Sequence, residues 1–194
     1  MSKIKEIQLR RATLADAQAI AAIRIEGWRT SYNGIIPSSY LKEMNLEENI
    51  LQWETILHVL PSKEDTMCVF VAESGGEIIG FVSAIKLPEP KLSKEAELTG
   101  IYIRPQWQRC GIGKRMLHKV ARAVQSMGSE SLLVWVIDGN APARHFYEDL
   151  GGLILIEQDF SWDGLALTEV GYGWNDVSIL LASADALPQP SSTQ

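Results

Sequence analysis

The sequence predicts an α+β fold around one central mixed sheet. Three observations carry this. Short runs with strand patterning recur from Ile7 to Arg10 at the start to residues 166–174 near the end, with helical stripes between them. Ser74-Gly75-Gly76 is a hairpin signal joining two of those runs directly. A loop bearing Gly111 and Gly113 leads from a β-rich run ending at Ile103 into the clearest amphipathic helix of the chain.

Taken in order, Ile7-Gln8-Leu9-Arg10 alternates as a first strand. Thr13 to Asp16 has the form of a capping box with Asp in place of Glu, and Ala17, Ile20, Ala21, Ile23 and Trp28 continue a helical stripe behind it. Pro37-Ser38 starts a short helix, and Asn45 caps another that runs to about His58. Thr66 to Glu73 and Glu77 to Leu87 read as strands, Pro88 to Lys94 as a loop, and Glu95 to Ile103 as the fourth strand. In the helix after the glycine loop, Ile112, Met116, Leu117, Val120, Ala121 and Val124 share the apolar side, with Arg115, His118, Lys119 and Arg122 on the other. Leu132 to Val136 is a buried strand. Asn140 caps a helix that Gly151-Gly152 stop, and two strands follow at 153–161 and 166–174. Residues 1–182 form a single domain on this reading. From Ser183 to Gln194, Ala, Ser, Pro and Gln dominate, and the pattern predicts a disordered tail.

The composition narrows the function. A chain of 194 residues, 46% hydrophobic and 22% charged, is ordinary for a soluble domain with a sizeable core. No apolar run approaches the ~18 residues of a membrane span, and the N-terminus lacks the apolar stretch of a signal peptide, so the expected location is the cytoplasm. Cys68 and Cys110 are too few for a disulfide framework. With His58, His118 and His145 they make no zinc spacing, and no metal is expected. A net charge of −6 argues against nucleic acid as a partner and leans slightly toward cationic substrates.

The loop from Arg104 to Leu117 carries the chemistry. Glycines opening a helix leave backbone N–H groups unpaired at its positive end, a place for a phosphate or pyrophosphate. The spacing excludes a P-loop: the two glycines stand two apart, and Lys114 is followed by Arg115 rather than by a hydroxyl residue. It also excludes the dinucleotide fingerprint, because Met116 stands where a third glycine is needed. What remains is Gln108-x-x-Gly111-x-Gly113. Taken alone, glycines used for close packing at a helix start explain this segment equally well.

A second segment adds to it. Leu132-Leu133-Val134-Trp135-Val136 is followed by Asn140, Ala143, Phe146-Tyr147 and Leu150-Gly151-Gly152. Together with the loop and Ile101-Tyr102-Ile103-Arg104-Pro105, this order resembles the GNAT superfamily of acyl-CoA-dependent N-acetyltransferases. Trp28 to Tyr32, Ile35-Ile36-Pro37 and Glu169 to Trp174 are similar to one bacterial branch of it. The resemblance covers roughly residues 7 to 181.

The resemblance implies a mostly antiparallel sheet of six to seven strands, splayed into a slot between strands four and five. It implies acetyl-CoA as cosubstrate and an amine as acceptor. Backbone amides from Gln108 through Arg109, Cys110, Gly111, Ile112 and Gly113 to Lys114 are expected around the pyrophosphate, and the edge of Ile101, Tyr102 and Ile103 along pantetheine. Lys114 and Arg115 are expected at the phosphates, whereas Lys119 and Arg122 read better as a solvated helix face. Asn140, Ala143 and Phe146 complete the expected cofactor contacts. Gly100 has two readings, a bulge that opens the slot or close packing. An N–H near Ile101 would polarise the thioester carbonyl.

Tyr147 matches the family's general acid, with one aromatic of a Phe146-Tyr147 core pair as the alternative. A phenol near pKa ~10 giving its proton to a thiolate near ~8.5 is uphill by roughly 2 kcal/mol, so hydrogen-bond donation to developing charge is the alternative. Glu97 is the candidate base, direct or through water, with an ordinary surface carboxylate as the equal alternative. Glu26 and Glu169 rank behind it, and many relatives have no single base. Trp28 and Tyr32, one helical turn apart, are expected to line the acceptor site with Asn33, or else to pack in the core, where Trp53 belongs. No Cys or Ser has the partner a covalent intermediate needs, so direct transfer in a ternary complex is expected. The acceptor is expected to be a small primary amine. A protein N-terminus or lysine, and a non-catalytic acyl-CoA-binding module, are the alternatives. The family also leaves room for a homodimer.

Overall fold

A computed structural model describes residues 6–162 and 164–182; the tail expected from Ser183 onward lies outside them. Seven strands form one sheet: β1 (Ile7–Arg11), β2 (Met67–Ser74), β3 (Glu77–Lys91), β4 (Lys94–Ile103), β5 (Leu132–Ile137), β6 (Leu153–Trp162) and β7 (Leu165–Trp174). The helices are α1 (Ala17–Ser31), α2 (Ser38–Glu43), α3 (Leu46–Val59), α4 (Ile112–Ser126), α5 (Ala141–Asp149) and α6 (Ser178–Ala182). Strand order is β1-β2-β3-β4-β5-β7-β6, and every pairing is antiparallel except β4 with β5.

Each face of the sheet buries a different set of helices. On one, Ile112, Met116, Leu117, Val120, Ala121 and Val124 of α4 pack with Ala84, Leu98 and Val134, and Tyr147 of α5 and its C-cap Leu150 pack with Val170, Tyr172 and Trp174. On the other, Ile20 and Ile23 of α1 and Trp53 and Leu57 of α3 meet Val69, Val71 and Phe81. Each fully buried aliphatic side chain contributes about 1.5–3 kcal/mol, so the two apolar stripes are enough to fix which face each helix covers. Trp53 meets Phe81 edge-on at 5.0 Å and belongs to this second layer.

Local signals explain most element ends. Asn45 accepts from the N–H groups of Glu47 and Glu48 and starts α3. The Thr13 N–H and hydroxyl both donate to Asp16, so the short-armed version of the capping box works with Asp. One expectation is corrected. Pro88 to Lys94 is not a loop: β3 runs on to Lys91, and a tight turn at Leu92 and Ser93, with φ of 51° and 59°, returns it into β4. The prolines are tolerated because the ladder is interrupted between Lys86 and Lys91, where no strand N–H is required. The short α6 is too brief to leave a periodic pattern. No helix among the described residues is long and apolar enough to cross a membrane.

The feature that matters for the site is where β4 and β5 part. They pair only at Ala96–Leu132, Glu97–Leu133 and Leu98–Val134. Against β3, Ser83 pairs with Gly100 but Ala84 with Leu98, so Thr99 is an extra, bulged residue. The hydroxyls of Ser83 and Thr99 are hydrogen-bonded at 2.6 Å across it. Beyond the bulge β4 stays on β3 to Ile103, and β5 follows β7 to Ile137. A slot opens between them.

Candidate active site

The loop after β4 is shaped to present N–H groups. Gly111 caps α4 in the left-handed region at φ 77°, and Arg109 two residues earlier is also left-handed at φ 62°. Alternation of this kind turns successive amides toward one concavity. The first donor inside the helix is Arg115, whose N–H bonds the Gly111 carbonyl at 3.2 Å. The amides of Ile112, Gly113 and Lys114 therefore have no partner within the helix. The Gln108 side chain donates to the Ile103 carbonyl at 2.9 Å and ties the loop to the end of β4. Cys110 is exposed, with its thiol at 3.4 Å from the Gln108 carbonyl.

Gly113 has a separate reason to be glycine. A Cβ there would stand 3.0 Å from the Phe146 ring and 3.5 Å from Ile103, so α4, α5 and β4 converge on this point. Ala143 and Phe146 are partly buried on the same face. Arg115 has a partner on β1. Its guanidinium donates to the Ile7 carbonyl on β1 at 2.9 Å, and with Lys119 it lines a cleft of about 640 Å³ on that flank. The packing of β1 beside α4 claims this side chain, whereas Lys114 remains half-buried at the helix start.

The strand edge can be oriented by alternation. The Arg104 N–H bonds Ile79 on β3, so the N–H and carbonyl of Tyr102 also face β3, and those of Ile101 and Ile103 face the slot. The side chains alternate as well. Ile101 and Ile103 pack toward α4, while Tyr102 points to the α1 face, stacked on Phe81 at 5.3 Å and lying over Gly100. A Cβ on Gly100 would stand 2.9 Å from that ring. Bulge and close packing thus occur together: Thr99 is the inserted residue, and Gly100 makes room for Tyr102.

Three phenols meet at the slot, from both faces. Tyr147 is 5% exposed, within ring contact of Phe146, Tyr172 and Trp174. Burial raises its pKa above the usual 10, and the nearby hydroxyls of Tyr102 and Tyr32 raise it further. Tyr102 accepts from the Trp28 indole at 2.9 Å, and burial raises its pKa too. Tyr32 meets Trp28 edge-on at 5.0 Å; burial pushes its pKa up, against an opposing hydrogen bond from Asn140. Asn140 also accepts from the Ala143 N–H at 3.3 Å and caps α5. Asn33 is exposed at the exit of α1, where its backbone bridges to Ile36.

Glu97 lies half-buried on the α1 face. Burial raises its pKa, the Lys91 ammonium pulls it back, and Glu169 adds to the rise. Glu26 is ion-paired to Arg104 at 2.8 Å. Glu169 accepts from Gln158 at 2.8 Å. Among the described residues no group of three or more His, Cys, Asp or Glu is arranged to hold a metal.

Three residues of this face were not singled out by sequence: the Tyr102 side chain, Trp135 and Lys91. Strict alternation from Val134 and Val136 places Trp135 on the α1 face, a signal present in the sequence. Lys91 carried none, because the Pro88 to Lys94 segment reads as a loop. Its ammonium sits 4.7 Å from the centre of the Trp135 ring.

Comparison with known proteins agrees with this geometry. Residues 25–152 match the Acetyltransferase (GNAT) family. An uncharacterised N-acetyltransferase of Bacillus subtilis, YuaI, is 34% identical over 90% of this chain and 96% of its own length. A spermidine N(1)-acetyltransferase of Thermoplasma acidophilum is 22% identical over 73% of this chain and 84% of its own. Among solved structures, the PaiA N-acetyltransferase of Thermoplasma acidophilum in complex with coenzyme A aligns with a TM-score of 0.67 at 20% identity, over 85% of this chain and 98% of that one. The yncA protein of Salmonella typhimurium with acetyl-CoA aligns at 0.65 and 16% identity, over 97% and 99%. The loop, the slot and the aligned sequence lead to one conclusion: this chain belongs to the GNAT family and is an N-acetyltransferase.

Proposed function

We propose that the protein moves an acetyl group from acetyl-CoA to a primary amine of a small molecule, by direct attack in a ternary complex. One observation carries this reading: the slot beyond Leu98 and Val134 has the unpaired α4 amides beside it on one face and the Tyr32, Tyr102 and Trp28 cluster on the other. A cosubstrate entering between α4 and α5 would meet an amine arriving from the α1 face at that window.

The residues fit acetyl-CoA. The amides of Gln108 to Lys114 would hold its pyrophosphate at the helix start, where the macrodipole favours anions. Ile101 and Ile103 offer strand hydrogen bonds to the pantetheine amides, and Ala143, Phe146 and Asn140 line the other side. Acetyl-CoA supplies an activated thioester. The Ile101 N–H donates to the carbonyl oxygen as it gains charge.

Tyr147 donates a hydrogen bond to the leaving sulfur. Its raised pKa turns the balance further against full ionisation of the phenol, which favours this role over complete proton transfer. Glu97 accepts the proton that the acceptor ammonium must lose before attack. It lies four residues from Ile101, ~10–13 Å along a strand, so a chain of waters in the slot relays the proton. The spermidine-acetylating relative from Thermoplasma acidophilum supports a small amine as acceptor. The two free cysteines suit the reducing cytoplasm.

The test is calorimetric titration with acetyl-CoA, followed by a thiol-release screen across amines and peptides. Binding with release for small amines is the expected result. Release only with peptides would make the protein a peptide acetyltransferase, and binding without release would make it an acyl-CoA-binding module.

A further inference from the structure

We propose that the acceptor carries a second cationic nitrogen, which takes the place over the Trp135 ring that Lys91 now fills. The proposal rests on the acetyl-transfer reading above and narrows its acceptor to short diamines.

The place is built for a cation. Lys91 Nζ stands 4.7 Å from the Trp135 ring centre, and Trp is the aromatic that attracts cations most strongly through its face. The ring lies close against the sheet because its cross-strand partner is Gly171. A Cβ there would stand 3.1 Å from the indole. The Trp135 Nε1–H is buried without a hydrogen-bond partner among the described residues, so the indole's polar edge does not explain its position; its open face does. The next hairpin lysine lies over the sheet as well, with Lys94 Cε 2.8 Å from where a Gly173 Cβ would be.

Carboxylates flank the ring on the same face. Glu97 on β4 pairs with Leu133, two residues before Trp135 on β5, and Glu169 on β7 pairs with Ile137, two residues after it. The Glu97 carboxyl senses both the Lys91 ammonium and the Glu169 carboxylate, so the three charges share one neighbourhood. Lys91 itself is exposed and belongs to the hairpin that doubles back at Leu92 and Ser93. An occupant of that kind is exchangeable, being held by the site and not by the core.

The distance also suits a diamine. Trp135 follows the last β4–β5 pair, Leu98 with Val134. With Thr99 counted as the bulge it lies level with Gly100, one rung short of Ile101: ~3 Å along the strand and at least ~5 Å across the open slot, together roughly the span of a four-carbon diamine. One nitrogen would lie at the slot while the other replaces the Lys91 ammonium.

Thiol release from acetyl-CoA, measured with 1,4-diaminobutane and with n-butylamine, tests this. The wild-type protein is expected to favour the diamine by about tenfold or more in kcat/KM, equivalent to about 1.4 kcal/mol. Lys91→Met removes the competing cation and is expected to raise that ratio several-fold. Trp135→Leu is expected to bring it toward one. Because Lys91 is exposed, its variant keeps the test decisive even where the Trp135 variant fails to fold. Equal kcat/KM for the two amines, or a ratio that Lys91→Met does not raise, overturns the proposal alone. Absence of thiol release with every amine overturns the acetyl-transfer reading and this proposal with it.

Discussion

The Asn140 side chain joins the start of α5 to the Tyr32 hydroxyl: its oxygen accepts from the Ala143 N–H while its amide serves Tyr32 on α1. One residue therefore sets both the helix that carries Tyr147 and the aromatic pair on the opposite face. The two roles separate by substitution. Asn140→Ala removes both and is expected to lower stability by about 1 kcal/mol. Asn140→Ser retains an N-cap but is too short to reach Tyr32. It is expected to keep the Tm near wild type while raising the amine KM, with acetyl-CoA affinity little changed. Calorimetry and steady-state kinetics read these separately, and a serine variant with unchanged KM would remove Tyr32 from the acceptor site.

Gly111 offers a cleaner test of the phosphate cradle. Nothing lies within 4 Å of the Cβ it lacks, so the demand for glycine comes from its φ of 77° and not from crowding. A side chain in that conformation costs roughly 1–2 kcal/mol, and a β-branched one more. Gly111→Val is expected to raise the Kd for acetyl-CoA at least tenfold as the loop amides turn away. Gly111→Asn, which tolerates the left-handed region, is expected to retain most of the affinity. Equal binding by all three proteins would mean that the loop does not hold the pyrophosphate.

How much of this was legible in sequence depends on the range of the signal. The loop was, because Gln108, Gly111 and Gly113 act within one turn of chain and their spacing survives as a pattern. Asn140 was legible as a cap for the same reason, yet its bond to Tyr32 was not, since that contact joins residues more than a hundred apart. The bulge at Thr99 depends on the register with Ser83, which only strand pairing reveals. The bond from Arg115 to Ile7 was not legible, because a helical wheel gives a residue's face but not its neighbour on β1. Lys91 was hidden by Pro88 and Pro90, which usually end a strand and here only interrupt its ladder.

Tyr147 and Glu97 make opposite demands on pH. The Tyr147 phenol titrates above its usual 10, so it stays protonated through neutral and mildly alkaline pH and contributes no descending limb there. Tyr147→Phe is expected to lower kcat by about 10–100-fold with little change in acetyl-CoA affinity, the range for a lost donor to developing charge. An unchanged kcat would return the residue to a packing role.

The Glu97 carboxyl is raised above its ordinary 4.5 by burial, so its basic form is present only above that raised value. kcat/KM is expected to climb with pH through a window lying above the ordinary carboxylate range, and Glu97→Gln to abolish that limb. Lys91 acts in the lowering direction on the same carboxyl. Removing its charge with Lys91→Met is therefore expected to shift the limb to higher pH. A pH profile measured with one monoamine and the three proteins checks both signs, and a limb that persists in the Gln variant would assign the base role to water alone.

Acid stability is governed from the other end of α1. Asp16, buried where the chain enters that helix, accepts from both terminal nitrogens of Arg10 at 2.7 and 2.8 Å and from the Thr13 N–H at 2.8 Å. The Arg10 bonds come first in holding its pKa below the ordinary 3.8. A carboxyl whose folded pKa is depressed contributes stability above its unfolded value and loses it as pH falls through the folded one. Asp16→Asn is expected to lower stability by about 2 kcal/mol at pH 7, roughly 4–8 °C in Tm. The gap to wild type should begin to narrow as the pH drops below about 4, where the unfolded carboxyl takes up a proton, and close only as the pH falls through the depressed folded value. Because α1 carries Trp28 and Tyr32, the same variant is expected to raise the amine KM when assayed near its Tm. A Tm difference that stays constant from pH 7 to pH 3 would show that the Arg10 pair contributes packing and not charge.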